Sequence, residues 1–357
     1  DLRLDTAQGY RRLASLQGLS GTSNLGHPDQ AAKSLDQAEA LLAVLAREQP
    51  GNPEVLEELG WVTAGRWAMA ADNGKSRQLN NRAAGYFRQA LAIDPARQSA
   101  LIGFLVTEKS RAYDMIWSEN RPAAAVPVLF SALSRLRAVR FERVNRRDAR
   151  LLEVNLLGRL GDAIYYAGDK PGSLVPYREA EAIIRAELAK GTSLVWTDKF
   201  GEAKFNISGT LGDINGQNEA ALREAREGIV ALQRVLAFGP DANIEKRLLI
   251  LYGQEANVLS DMGRMAEAVA ASNASIALRR ERLARVPHDP QRNRDLAVAL
   301  PNHAEVLARA GSHRAACNAA QEAVRQWTAI RAAGNLGARD AAKDVPEAAK
   351  VATRLCG

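Results

Sequence analysis

Apolar residues recur along the chain at helical spacing, in stretches broken by turn signals of two alternating kinds. One kind is short and carries Gly: Leu25-Gly26-His27, Ala167-Gly168-Asp169, Asn215-Gly216-Gln217, Met262-Gly263-Arg264 and Ala310-Gly311-Ser312. The other carries Pro or Gly: Gln49-Pro50-Gly51, Asp94-Pro95, Lys190-Gly191, Gly239-Pro240, Pro287-His288-Asp289-Pro290 and Ala333-Gly334. Gly supplies the left-handed conformation that ends a helix, and Pro favours a fresh start after a break. The pattern predicts antiparallel helix hairpins over 1–50, 51–95, 96–140, 146–190, 193–239, 241–287 and 289–333, then a capping helix over 338–356.

The division has a period. From Gly168 the turn glycine recurs at Gly216, Gly263 and Gly311, which is 48, 47 and 48 residues apart, and Asn120 lies 48 residues before Gly168. Asn is the next-best residue for a left-handed turn, so Asn120 fills the same place. The second helix of each hairpin also repeats a small, variable, small triad: Ala31/Leu35/Ala38, Ala83/Phe87/Ala90, Ala125/Leu129/Ala132, Ser173/Tyr177/Ala180, Ala221/Ala225/Gly228, Ala268/Ser272/Ser275 and Ala316/Ala320/Ala323. Spacing of four then three puts each triad on one helical face. Small outer residues admit a neighbouring helix, and a large middle one fills the gap between them.

These triads, and the run Tyr86-Phe87-Arg88-Gln89-Ala90-Leu91-Ala92-Ile93-Asp94-Pro95, resemble the second helix of a tetratricopeptide repeat (TPR). In the first helices, Leu157/Gly161/Gly168, Phe205/Gly209/Gly216, Tyr252/Ala256/Gly263 and Leu300/Ala304/Gly311 match the large, small and turn-glycine positions of that family. The resemblance implies an all-α, right-handed α-α superhelix of stacked hairpins. The ordinary repeat is about 34 residues, so a spacing near 48 calls for helices of roughly 20 residues, ~30 Å long. The segment from Gln17-Gly18 through Asn24-Leu25-Gly26 to Ala31-x-x-Ser34 resembles repeats found C-terminal to bacterial membrane-anchored Ser/Thr kinases and winged-helix regulators.

Such a solenoid implies a concave groove lined by first helices, able to hold a protein or peptide. In register, the groove positions are Asn155, Asp162, Tyr165, Asn206, Thr210, Asp213, Asn257 and Asp261, with Trp117 as an aromatic that faces the groove rather than the core. Asn amides both donate and accept, so they suit a peptide backbone, and the aspartates favour a basic ligand. The other reading of such residues is a solvated helix face.

Composition narrows the function. Hydrophobic residues make up 46% of the chain but aromatics only 5%, which is helix-forming composition. The longest apolar stretch, Ala123 to Leu133, is far too short to span a bilayer. Any membrane attachment would come through a segment preceding Asp1, which reads as the start of a processed chain or an excised domain. The formal charge is +7, and arginines concentrate in Arg135 to Arg150 and Arg279 to Arg294. That basic edge is either solvated or docks an acidic partner or phosphate, with nucleic acid the less favoured partner.

There is no phosphate-binding glycine loop, nucleophile elbow, paired His with Glu, or kinase signature, so neither catalysis nor a cofactor is expected. His303, His313 and Cys317 are the nearest approach to a metal site, and lack a fourth ligand in register. Cys317 and Cys356 lie 17 and 22 residues from Gly334, hence at similar heights on adjacent antiparallel helices. They suit either a disulfide in an oxidising, extracytoplasmic (periplasmic) compartment or two buried thiols in the cytoplasm. The expected function is a sensor and scaffold domain that binds a protein, a peptide or another copy of itself and signals to an effector domain outside these residues. Its rivals are a cytoplasmic peptide-sensing adaptor and a binder of nucleic acid or acidic partners through the arginine-rich edge.

Overall fold

The computed structural model describes residues 1–19, 27–70, 73–287, 289–337 and 340–357. The Leu25-Gly26 turn, the Asn24 position and His288 lie outside the described residues, as does the start of the expected capping helix at 338. Fifteen α-helices and no strand occur among the described residues. The chain divides into two compact units, Asp1–Ile183 and Ile184–Gly357.

The first unit holds α1 (Leu2–Gly18), α2 (Pro28–Glu48), α3 (Pro53–Met69), α4 (Asn73–Ile93), α5 (Gln98–Trp117), α6 (Pro122–Arg137), α7 (Arg143–Tyr166) and most of α8 (Lys170–Leu188). The second holds α9 (Leu194–Gly212), α10 (Asn218–Leu236), α11 (Ala242–Asp261), α12 (Met265–Arg285), α13 (Pro290–Arg309), α14 (His313–Ala332) and α15 (Val345–Cys356). Pro at the first turn of α2, α3, α6 and α13 starts helices where its missing N–H costs nothing. Turns end them in the left-handed region: Gly168, Gly216, Gly263 and Gly311 have φ of 105°, 77°, 76° and 78°, and Asn120 takes φ 52°. Consecutive helices from α1 to α7 and from α9 to α15 pack against each other. In addition, first helices lie beside first helices, α1 on α3, α3 on α5 and α5 on α7 in the first unit, and α9 on α11 and α11 on α13 in the second.

The triads are the reason the helices can approach. Ala83, Phe87 and Ala90 are fully buried, as are Ala31, Leu35, Ala38, Ala125 and Leu129. The Phe87 ring lies against Gly60 of α3 and Gly103 of α5, where any Cβ would collide with it. Trp61 meets it edge-on at 5.2 Å. Tyr177 occupies the corresponding notch at Gly161. Burying one such ring contributes about 2–3 kcal/mol.

The second unit fills the same space with polar side chains. Its middle triad positions are small, Ala225, Ser272 and Ala320. Lys204 of α9 is buried against Gly228, and its ammonium pairs with Glu224 and Glu227 of α10 at 2.5 Å each. Arg279 of α12 donates to Leu249 O of α11 at 3.2 Å and Asp295 O of α13 at 3.1 Å, joining three helices. Burial pulls its pKa down to about 10.

At the C-terminal end, the expected capping helix over 338–356 begins as an α-helix only at Val345, after a π-helical turn at Asp340–Asp344. The cause is local: Asp340 is held by a two-pronged pair with Arg294 of α13, 2.7 Å to each oxygen, and the wider turn accommodates that anchor. From there α15 packs on α13 and α14 through Ala348 and Val351. Cys317 of α14 and Cys356 of α15 are joined by a disulfide, Cα to Cα 5.0 Å.

Phe87→Ala should cost about 3–5 kcal/mol in urea unfolding by leaving a cavity between three helices. Gly103→Ala should also destabilise, and by clearly less when Phe87 is already Leu; equal losses in both backgrounds would show that the ring does not set the helix spacing. Replacing both cysteines by Ser should remove up to about 4 kcal/mol of loop-closure stabilisation. Limited proteolysis is the check: cleavage in α15 should accelerate, and reductant should bring the wild-type chain to the same rate.

Candidate protein-binding surface

Two neighbouring first helices of the first unit bring aromatic side chains to one face. Tyr113 and Trp117 are one turn apart on α5, and their rings lie 4.6 Å apart, tilted by 37°. Tyr165 and Tyr166 end α7, with Tyr166 5.8 Å from Trp117 and 5.1 Å from Tyr165. Between the helices the Arg159 guanidinium covers Trp117 at 4.5 Å and Tyr113 at 5.1 Å, and Lys170 covers Tyr165 at 5.8 Å. Tyr113 is 43% and Tyr166 56% exposed.

This patch is fixed from beneath. Arg159 donates to Asp162 at 2.8 Å, and the other carboxylate oxygen of Asp162 accepts the Tyr177 hydroxyl at 2.6 Å. Burial, with the Asp162 charge beside it, pushes the Tyr177 phenol well above its usual pKa, so it stays a donor throughout the physiological range. The buried Arg159 Nε–H has no acceptor among the described residues. Burial also raises the carboxyl of Asp114, against the pull of Arg77.

The groove positions expected from sequence distribute as follows. Trp117, Asp162 and Tyr165 join the aromatic cluster, while Asn155 is half-buried two turns earlier on α7. In the second unit Asn206 is half-buried on α9, Asp213 is exposed at the C-cap that follows it, and Asn257 and Asp261 are exposed on α11. Asp261 pairs with Arg309 of α13 at 3.1 Å. Thr210 is not a surface residue: it is 2% exposed, because α9 packs against both α10 and α11 and Ile207, Ser208 and Leu211 around it are buried too. Tyr113, Arg159 and Tyr166 were not anticipated. The i, i+4 pair Tyr113 and Trp117 was the signal for the first; Arg159 and Tyr166 needed the α5–α7 approach. Trp196 and Trp327 are core residues.

His303, His313 and Cys317 do not form a ligand set. Cys317 sulfur is in the disulfide, and His303 is buried with Nδ1 2.7 Å from Ser272 Oγ. Of the two arginine-rich stretches, Arg279 to Arg294 is structural. Its arginines bind Glu322, Glu245, Asp289, Asp340 or backbone carbonyls. No described helix is long and apolar enough to cross a membrane.

No family model matches the sequence, and no curated protein matches it. Among solved structures the fold is similar to that of BtubC from P. vanneervenii, with a TM-score of 0.54 and 18% identity, covering 72% of this chain and 92% of that one. Weaker likenesses include the human IFIT1 dimer with m7Gppp-AAAA, at 0.38 and 12% identity over 89% of this chain and 76% of that one. Another is the TPR2AB-domain:pHSP90 complex of yeast Sti1, at 0.27 and 14% identity over 83% and 98%. Among the described residues the fold is all-helical, with antiparallel helix pairs packed on one another within each unit. Likeness at these identities speaks of the fold alone.

Burial, with Arg280 nearby and Glu322 opposing, lowers the His303 pKa below its ordinary 6.5. The folded chain therefore binds fewer protons than the unfolded chain just below pH 6.5, and stability should rise with pH through that window and level off above it. Urea midpoints at pH 5 and 7.5 test this: His303→Gln, which keeps a hydrogen-bonding group for Ser272, should lose less stability on acidification than wild type.

Proposed function

We propose that this chain is a non-catalytic binding domain that holds a protein or peptide against its first helices. The observation that carries this reading is the Tyr113, Trp117, Arg159 and Tyr166 cluster: half-open aromatic rings, held by hydrogen bonds to the core, on the layer where first helices meet. Tyr, Trp and Arg dominate the energetics of protein interfaces because they offer large rigid area with a polar handle. A fixed cluster also costs little ordering entropy on binding. In the second unit Asn206, Asn257, Asp213 and Asp261 offer a polar face suited to a peptide backbone or basic side chains.

In this reading the domain works outside the cytoplasm, which the Cys317–Cys356 disulfide supports, since such bonds persist in oxidising compartments. Occupancy is passed to an effector domain beyond these residues, in keeping with the resemblance to bacterial kinase- and regulator-linked repeats.

A displayed random-peptide library is the test. Wild type should enrich a shared motif, and Trp117→Ala with Tyr166→Ala should weaken a selected peptide about thirtyfold or more, the scale of a hot spot. Phe130→Ala, an exposed aromatic on α6, should leave it unchanged. Undiminished binding by the folded double variant, or no enrichment by wild type, would sink the proposal.

A further inference from the structure

The corner between α6 and α7 is charged in a way the fold does not use. Residues 135–150 contain seven arginines and only two acids, Glu142 and Asp148. In the comparably basic stretch Arg279 to Arg294, every arginine is tied to a carboxylate or to backbone carbonyls. Here the ties are fewer. Arg137 and Arg150 share the two oxygens of Glu153, at 2.9 and 3.0 Å, Arg137 also pairs with Glu179 at 2.5 Å, and Arg135 covers the Phe104 ring at 4.9 Å. Arg140, Arg143, Arg146 and Arg147 make no ion pair among the described residues. Like charges gathered without partners raise the energy of the free protein, so the arrangement is stabilised by a concentrated anion.

The charges also surround a shaped space. A cleft of about 470 Å³ is lined by Arg137, Arg140, Arg146 and Arg150 around an apolar floor that includes Phe141 and Val139. Arg146 and Arg150 are one turn apart on α7, so they face the same way. Arg140 comes from the turn, and that turn is fixed: Gln98 of α5 donates to Arg140 O at 3.3 Å and accepts from the Glu142 N–H at 2.8 Å. Glu153, the carboxylate in the lining, is already shared by two guanidinium groups.

We propose that this cleft binds a compact polyphosphate, either inorganic or carried on an organic body that rests on the apolar floor. Planar guanidinium groups match phosphate oxygens two at a time. Several negative charges within a few ångströms answer this cluster better than an acidic peptide, whose carboxylates are spaced along an extended chain and point to alternate sides. The site is separate from the aromatic surface, and the two stand or fall independently.

Calorimetric titration of the folded chain with sodium pyrophosphate, ADP and an octaglutamate peptide tests the proposal. Both phosphates should bind at 50 mM NaCl and weaken steeply by 300 mM. ADP binding more tightly than pyrophosphate identifies an organic ligand; equal affinities identify the inorganic one. Arg140→Glu with Arg146→Glu should weaken both at least tenfold with an unchanged far-UV spectrum, since neither side chain holds the fold together. Arg314→Glu with Arg325→Glu makes the same change in net charge on exposed positions of α14 and should alter affinity less than twofold. Absence of phosphate binding by wild type, equal weakening by the α14 pair, or octaglutamate binding as tightly as pyrophosphate would each overturn it.

Discussion

The structure rests on close approach at notches where one helix offers a ring and its neighbours offer no side chain. Phe87 meets Gly60 and Gly103, and Tyr177 meets Gly161. A helix pair of this composition cannot bury its own apolar face, and interiors tolerate few voids, so the ring that fills the notch sets how far apart successive first helices lie. Between α5 and α7 the corresponding triad position is the fully buried Leu129 of α6, which packs on both helices, and where they lie side by side Tyr113 and Trp117 meet Arg159 and Tyr166.

The second unit meets the same constraint with different chemistry. Where the middle triad residue is Ala or Ser, long polar side chains from the same layer enter: Lys204 beside Gly228, Arg279 over Ser275, His303 against Ser272. Polar groups in a dry interface must be partnered, or they cost more than an apolar replacement would. Lys204 has two carboxylates and Arg279 three backbone carbonyls, so this demand is largely met. The two halves of the chain thus share a backbone rule and differ in what fills it.

This difference explains how much was legible in the sequence. Turn glycines, the role of Asn120 and the triads are local, since each depends on the conformation or size of a residue on its own helix. The identity of the side chain that enters a notch from another helix is not local. Nothing near Ser272 in sequence announces His303, 31 residues away. Thr210 illustrates the limit from the other side, for register puts it on an open face while the width of contact made by α9 decides that it is covered. The arginine stretches make the same point about charge, being alike in composition and unlike in use.

Exposed aromatics alone would not distinguish the α5–α7 surface, because Phe130 and Phe238 are more exposed than any ring within it. What differs is attachment. The rings of the cluster are held by Arg159, Arg159 by Asp162, and Asp162 by the buried Tyr177 that also sets the helix spacing at Gly161. A partner that docks there meets side chains whose rotamers were fixed during folding, so little freedom remains to be lost. Because Asp162 offsets the Arg159 charge, the part of the patch around Trp117 and Tyr113 presents aromatic area rather than net positive charge. It therefore suits a ligand chosen by shape and apolar contact, while the open arginines at the α6–α7 corner suit one chosen by charge. The residue that fills the notch in the core is the one that steadies the exposed rings, which ties core packing to the order of the surface through a single chain of contacts.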